Sequence, residues 1–276
     1  MFVSDKLIFV ELHKTASTHV KSILSEVLEG ESVGKHNQLS RELLKRNRVV
    51  VGSIRNPWDW YVSLWGYGCD GRGGIFDSTA NRSQQGIRGL GWTVNPRSAF
   101  ARLIENLFKK RERIWQSTYR DVEDAEAFRR WLRLVHTPEF FEDLGEGFAF
   151  WPGNTEVGLM TYRYLSLFCV TEEDSTRLDD LASFESIVQF EKEELFIDSF
   201  VRQESLEDDL GLILQDCGSS FYARFEDLIA RKSKENTSSR KRDLSYYYDQ
   251  ESCRLVAERE RVIIAKFGYN QPLVSV

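Results

Sequence analysis

The sequence has no long apolar run. No stretch approaches the roughly 20 residues that cross a bilayer, and the start has neither the charged end nor the extended apolar core of a signal peptide. Read from Met1, this predicts a cytoplasmic protein with no membrane span. Cysteine is scarce: Cys69, Cys169, Cys217 and Cys253 are the four present, far apart and without a CxxC pair. Neither a zinc site nor a disulfide framework is indicated, and reduced thiols are expected. There is no basic surplus, with 37 Lys and Arg against 43 Asp and Glu, which argues against a general nucleic-acid binder. Basic residues gather only locally, at Lys109–Arg113 and Arg231–Arg242. No solenoid repeat, low-complexity tract or metal-ligand cluster is present. The glycine loop GxxxxGK[ST] is also missing, which disfavours an ordinary nucleotide kinase or ATPase.

What is present is a chain of 276 residues, 41% of them hydrophobic and 13% of all residues aromatic, enough for a sizeable core. Leu7-Ile8-Phe9-Val10 reads as a buried parallel strand. A polar loop from Glu11 to Thr18 follows. Val20, Ile23, Leu24, Val27 and Leu28 then recur at helical spacing, with Gly30 as the stop. The pattern repeats: Val49–Ile54 reads as a second strand, Asn56 as a cap, Pro57 as the first helical residue, and Trp58, Tyr61, Val62 and Trp65 as a helix face. Two strand–loop–helix units predict an α/β fold, a three-layer sheet of mainly parallel strands flanked by helices.

Glycines and Arg72, Arg82, Arg88 and Arg97 are dense over residues 66–98, which reads as a long irregular excursion. From about 98 to 168 the pattern is mostly helical, with Ala99–Ile114 and Ala125–Val135 amphipathic and Thr137-Pro138 a break. A strand is expected at Leu195–Val201 and a helix from about Glu204 to Leu214. A last helix, capped by Asp249, is expected to run to Lys266 and end at Gly268.

The loop Glu11-Leu12-His13-Lys14-Thr15-Ala16-Ser17-Thr18 lies between a strand and a helix start. Such a junction offers free N–H groups and the positive end of the helix dipole, so it suits an anion. The second loop, Ser53-Ile54-Arg55-Asn56-Pro57, adds a guanidinium fork that matches a phosphate. Ser63 follows two turns into the next helix.

Leu7–Thr18 resembles the 5′-phosphosulfate-binding loop of PAPS-dependent sulfotransferases, where PAPS is 3′-phosphoadenosine-5′-phosphosulfate. Carbohydrate-type members commonly read His-Ile-Pro-Lys-Thr-(Ala/Gly)-(Gly/Ser)-Thr. Lys14, Thr15, Ala16, Ser17 and Thr18 match position by position, while Glu11 stands where relatives often have His and His13 where they usually have Pro. The stretch from Arg55 to Ser63 is similar to the family's 3′-phosphate segment, R-(N/D)-P-x-(D/E)-R-x-x-S, with Trp60 in place of the second Arg. Asn236-Thr237-Ser238-Ser239-Arg240 resembles the stretch that folds over the nucleotide in the family, which implies Ser238 and Arg240 as further contacts. The resemblance spans both ends of the chain and is weak from about 66 to 190.

The resemblance implies a single P-loop-like sulfotransferase domain over residues 1–276, with about 66–190 as a substrate-region insertion. It also implies sulfuryl transfer from PAPS to a hydroxyl or amine, release of PAP, and no metal. Lys14 would neutralise the leaving phosphate. His36, after the first helix, is the first candidate for general base, Glu11 the second and His13 the third. His19 and His136 read as structural. Aromatic residues around Phe140–Trp151 suit sugar rings and phenols alike as pocket walls, and the resemblance to carbohydrate-type members implies a glycan or glycolipid acceptor. A non-catalytic PAPS- or glycan-binding protein is the alternative. Acceptor identity and oligomeric state stay open.

Overall fold

A computed structural model describes residues 1–45, 48–81, 111–231 and 242–274. The chain divides into two units. The first comprises Met1–Trp60, Trp151–Ser239 and Ala257–Asn270, and the second Tyr61–Phe150, Arg240–Val256 and Gln271–Val276.

The first unit is α/β. Its sheet contains β1 (Phe2–Ser4), β2 (Leu7–Val10), β3 (Gly30–Ser32), β4 (Val49–Ile54) and β5 (Ser199–Arg202), in the order β3-β1-β2-β4-β5. The short apolar runs Leu7–Val10 and Val49–Ile54 are the strands expected of them. They pair in parallel, Val10 opposite Gly52, and β5 adds to β4 in parallel with Arg202 opposite Ile54. The sheet is nevertheless mixed and not mainly parallel, because β1 runs antiparallel to both β2 and β3. The physical cause is a tight turn at Asp5-Lys6. The Ser4 hydroxyl accepts from Leu7 N at 3.0 Å and donates to Leu7 O at 2.9 Å, folding three residues back on β2.

Helices cover both faces. Leu7, Phe9, Val51 and Val201 pack with Val20, Ile23, Leu24 and Val27 of α1 (Ser17–Val27), and with Leu210, Leu214 and Phe225 from the helices Leu206–Cys217 and Ser219–Arg231. On the other face Phe200 meets Tyr164, Phe168 and Phe267. Each fully buried side chain of this size contributes on the order of 1.5–3 kcal/mol.

Several boundaries differ from expectation. α1 ends at Val27, and Gly30 instead opens β3. A Cβ there would stand 2.5 Å from Val3 O, so the glycine serves the close approach of β3 to β1. The strand expected at Leu195–Val201 starts only at Ser199. Asp198 just before it exchanges bonds with Val50, N to O at 2.8 Å and carboxylate to Val50 N at 2.8 Å. The following helix starts at Leu206, after one 3-10 turn, and ends at Cys217.

The last helix is two, Gln250–Arg259 and Arg261–Phe267. Glu260 breaks it because its fully buried carboxylate caps another helix, Leu159–Phe168. It accepts from Met160 N at 3.2 Å, Thr161 N at 2.9 Å and the Thr161 hydroxyl at 2.6 Å. Arg259 meanwhile donates to the carbonyls of Asn154 and Thr155. Within the stretch read as mostly helical, residues 138–155 form short 3-10 segments, as Pro138, Gly145, Gly147 and Pro152 interrupt any longer run.

The second unit is helical. A further short helix of the first unit, α2 (Arg41–Leu44), precedes β4, and α3 (Pro57–Cys69) then runs across the division. Ala125–Val135 is the amphipathic helix expected, capped by Asp124, whose carboxylate accepts from Ala127 N at 2.9 Å. Its Phe128 and Trp131 join Trp65, Tyr119, Tyr247 and Tyr248 in an aromatic cluster. Among the described residues, no helix is long and apolar enough to cross a membrane. Of the excursion at 66–98, residues 82–98 lie outside the described residues, as does most of Ala99–Ile114.

Candidate functional site

The carboxyl ends of β2 and β4 are adjacent in the sheet, so the loops that leave them are neighbours. In open α/β sheets this is where ligands bind. The first loop departs from regular backbone twice, with Lys14 at φ 61° and Ala16 at φ 57°. Such left-handed conformations are uncommon for residues with a Cβ and persist only when surroundings over-determine them.

The surroundings here are side chains that claim three consecutive carbonyls. Thr15 Oγ1 donates to Leu12 O at 2.7 Å, Trp60 Nε1 to His13 O at 2.6 Å, and Arg55 Nη1 to Lys14 O at 3.0 Å. Ser53 adds a hydroxyl 2.6 Å from Thr15 Oγ1 and accepts from Leu12 N at 3.2 Å. These bonds occupy the carbonyls of the loop that leads into α1. The first intrahelical bond is His19 N to Ala16 O at 2.9 Å, so the amides of Ser17 and Thr18 precede it. Together with the dipole and Lys14 they make an anion cradle.

The hydroxyls divide. Thr15 is buried and committed to Leu12 and Ser53. Ser17 is buried and bonds to the Glu11 carboxylate. Thr18 is exposed. Of the loop's hydroxyls, only that of Thr18 is exposed, so Thr15 and Ser17 shape the loop and Thr18 faces solvent.

Arg55 is half-buried. Its Nε donates to Asp59 Oδ2 at 2.7 Å and its Nη2 lies 2.6 Å from the same oxygen. Asp59 thus anchors the fork while Nη1 reaches the first loop at Lys14 O, and a guanidinium has five N–H donors in all, more than these bonds use. Asn56 caps α3, its side-chain oxygen accepting from Trp58 N at 3.0 Å, while its own amide N–H goes to Glu204 at 2.6 Å. Ser63 is partly exposed on α3, in the second unit. Ser238 and Arg240 lie outside the described residues.

The three candidate bases meet in one cluster. Glu11 is 1% exposed, and Lys21 and the Met1 amine approach its Oε1 at 2.8 and 2.9 Å. Burial alone would raise its carboxyl, but the hydrogen bonds from Lys21, the amine and Ser17 outweigh it and bring it down to about 2. A carboxylate so held is a poor proton acceptor. His13 and His36 stack with ring centroids 3.7 Å apart, 14° from parallel. Burial, then the charge of Arg163 and the proximity of His36, bring His13 down to about 2.

His36 itself sits in the left-handed region, φ 54°, two residues after Gly34 at φ 59°. Burial lowers it from the ordinary imidazole range, against a partial rise from Glu11. Its Nδ1 is 3.1 Å from Glu11 O. A carbonyl only accepts, so Nδ1 carries the proton and Nε2 keeps a bare lone pair. The structure therefore brings Lys14, Arg55 and His36 around one loop, with His36 in a base-competent tautomer. His136 is structural, its Nδ1 bound to Leu132 O and its Nε2 to the Tyr61 hydroxyl.

The roles of two residues, one of them already noted as standing in place of the family's second Arg, were not read from the sequence. Trp60, fully buried, holds the loop carbonyl of His13. Arg163 is 5% exposed in Leu159–Phe168, with its guanidinium 5.6 Å above the Trp60 ring. The signal was an arginine inside Leu-Met-Thr-Tyr-Arg-Tyr-Leu-Ser-Leu-Phe, an otherwise apolar helix. Among the described residues, no group of three or more His, Cys, Asp or Glu is placed to hold a metal ion. No family model, curated protein or solved structure matches the chain.

Proposed function

We propose that the chain is a sulfotransferase of P-loop-like fold, moving a sulfuryl group from PAPS to a hydroxyl or amine and releasing PAP. The observation that carries the reading is the bond from Arg55 Nη1 to Lys14 O at 3.0 Å. It joins the two loops whose residues resemble the 5′-phosphosulfate and 3′-phosphate segments of that family, at the carboxyl ends of adjacent parallel strands. PAPS differs from ATP by its 3′-phosphate, and the Arg55 fork is the group suited to it. Ser63, Ser238 and Arg240 complete the proposed nucleotide contacts.

In this reading the N–H groups of Ala16 to Thr18 hold the 5′-phosphate. The acceptor oxygen or nitrogen attacks sulfur in line, and the bond from sulfur to the bridging phosphate oxygen breaks. The acceptor proton passes to His36 Nε2, and the negative charge gathering on the leaving phosphate is met by Lys14. Most of the work is positioning and electrostatics, as in phosphoryl transfer. A glycan or glycolipid acceptor in the cytoplasm is the substrate class we favour, supported by the resemblance to carbohydrate-type members.

The test is incubation with labelled PAPS and a panel of sugars, glycolipids and phenols. Label on an acceptor with matching PAP release supports the proposal. Tight PAP binding without transfer to any acceptor identifies a non-catalytic binder. A folded protein that neither binds PAP nor transfers label overturns the reading.

A further inference from the structure

Arg163 belongs to neither loop, and no sulfotransferase motif named above includes it. It projects from the helix Leu159–Phe168 and is nearly as buried as the core. Its guanidinium stands over the face of Trp60, and Trp60 holds the carbonyl of His13. His13 in turn stacks on His36. The helix is also tied to the His36 segment directly, as Gln38 donates to Ser166 O at 2.9 Å. A chain of contacts thus runs from Arg163 through Trp60 and His13 to the candidate base.

We infer that Arg163 is a positioning residue of this site: its buried guanidinium, fixed over the Trp60 ring whose Nε1 holds the His13 carbonyl, keeps both stacked imidazoles uncharged and presents His36 as a ready base. The role assigned to His36 rests on the proposed function; the charge state of the pair does not.

The argument is one of charge in a confined space. Two imidazoles 3.7 Å apart resist protonation together, and a third permanent cation nearby resists protonation of either. Among the described residues, the other charged groups acting on His36 are the Glu11 carboxylate, just after β2, and the Met1 amine. Glu11 favours a proton on His36, but its own charge is met by both Lys21 and the amine. Burial keeps the balance on the neutral side, and repulsion from Arg163 and the amine adds to it. Cation–π contact with Trp60 holds the guanidinium in place, and an arginine cannot shed its proton to escape the repulsion.

The experiment is an NMR pH titration of the imidazole signals of the full chain, without nucleotide, with His19 and His136 as internal references. In the wild type, His36 should titrate below the ordinary imidazole range. An ordinary midpoint there overturns the inference without any variant. Arg163→Met should move the midpoints of both His13 and His36 upward, while Arg163→Lys, which keeps the charge, should leave them low. Midpoints unmoved in a folded Arg163→Met chain also overturn it, because a purely structural arginine would lower the melting temperature and leave the midpoints alone. Should the methionine variant not fold, Arg163→Gln provides the same reading. The outcome is independent of PAP binding, so failure of the sulfotransferase reading and failure of this inference are separable. If transfer is measured, the acid limb of kcat/KM should shift to higher pH in Arg163→Met and not in Arg163→Lys.

Discussion

The two units bury polar groups for different ends. In the helical unit, buried donors finish a packing problem. Trp131 Nε1 reaches the Tyr119 hydroxyl at 2.5 Å and Trp65 Nε1 reaches Thr118 O at 2.7 Å, each amid rings that bury large apolar area. In the sheet unit, Trp60, Thr15, Ser53 and Arg55 spend their bonds on the backbone of one loop and hold it in left-handed conformations at Lys14 and Ala16. The first pattern makes stability. The second makes a shape that the chain would not adopt alone. Strained backbone held by converging side chains marks the sheet unit's loop, and not the aromatic cluster, as the place to look for chemistry.

Substitutions should separate the two patterns. The largest effect is expected in the helical unit, where Trp131→Ala opens a cavity in the aromatic cluster and should cost about 3–5 kcal/mol in a denaturant titration. A loss under 1 kcal/mol would show that the cluster repacks and blur the contrast.

Next comes Glu11→Gln. The Glu11 carboxyl is held at about 2, below its ordinary value, so its contribution to stability is complete above that ordinary value and disappears as pH falls towards 2. The variant should be less stable than the wild type by on the order of 3 kcal/mol at pH 7, and the gap should close near pH 2. A gap that does not depend on pH would mean that the ion pairs with Lys21 and the amine contribute little.

The smallest effect is expected from Ser53→Ala. It removes the hydroxyl shared by Thr15 and Leu12, for about 1 kcal/mol of stability, and should loosen the loop enough to weaken anion binding several-fold. Unchanged binding would mean that the loop keeps its shape without that tie.

These contrasts also explain what was legible beforehand. Leu7–Val10 and Val49–Ile54 were readable because strands buried on both faces appear as unbroken apolar runs, and Asn56-Pro57 because a cap followed by a fixed φ is a local signal. The strands Phe2–Ser4 and Gly30–Ser32 were not, since three residues carry no period. Gly30 was read as a helix stop when its meaning lies in the distance to Val3. The break at Glu260 and the place of Arg163 depend on partners about 100 residues away, or across two elements, and leave no local trace. Of the candidate site, the residues that present charge were visible, Lys14 and Arg55 foremost. Those that hold them, Ser53, Trp60 and Asp59, emerge only from the fold.

The central claim is that the joined loops form a site for a nucleotide bearing a 3′-phosphate. The most direct measurement is calorimetric titration with PAP, with ATP as control, for the wild type and Arg55→Ala. The account predicts that PAP binds, that ATP does not compete, and that Arg55→Ala weakens PAP by roughly 10-fold to 100-fold, the value of a charge-assisted bond. Equal binding of ATP, or PAP binding that is indifferent to Arg55→Ala, would contradict it.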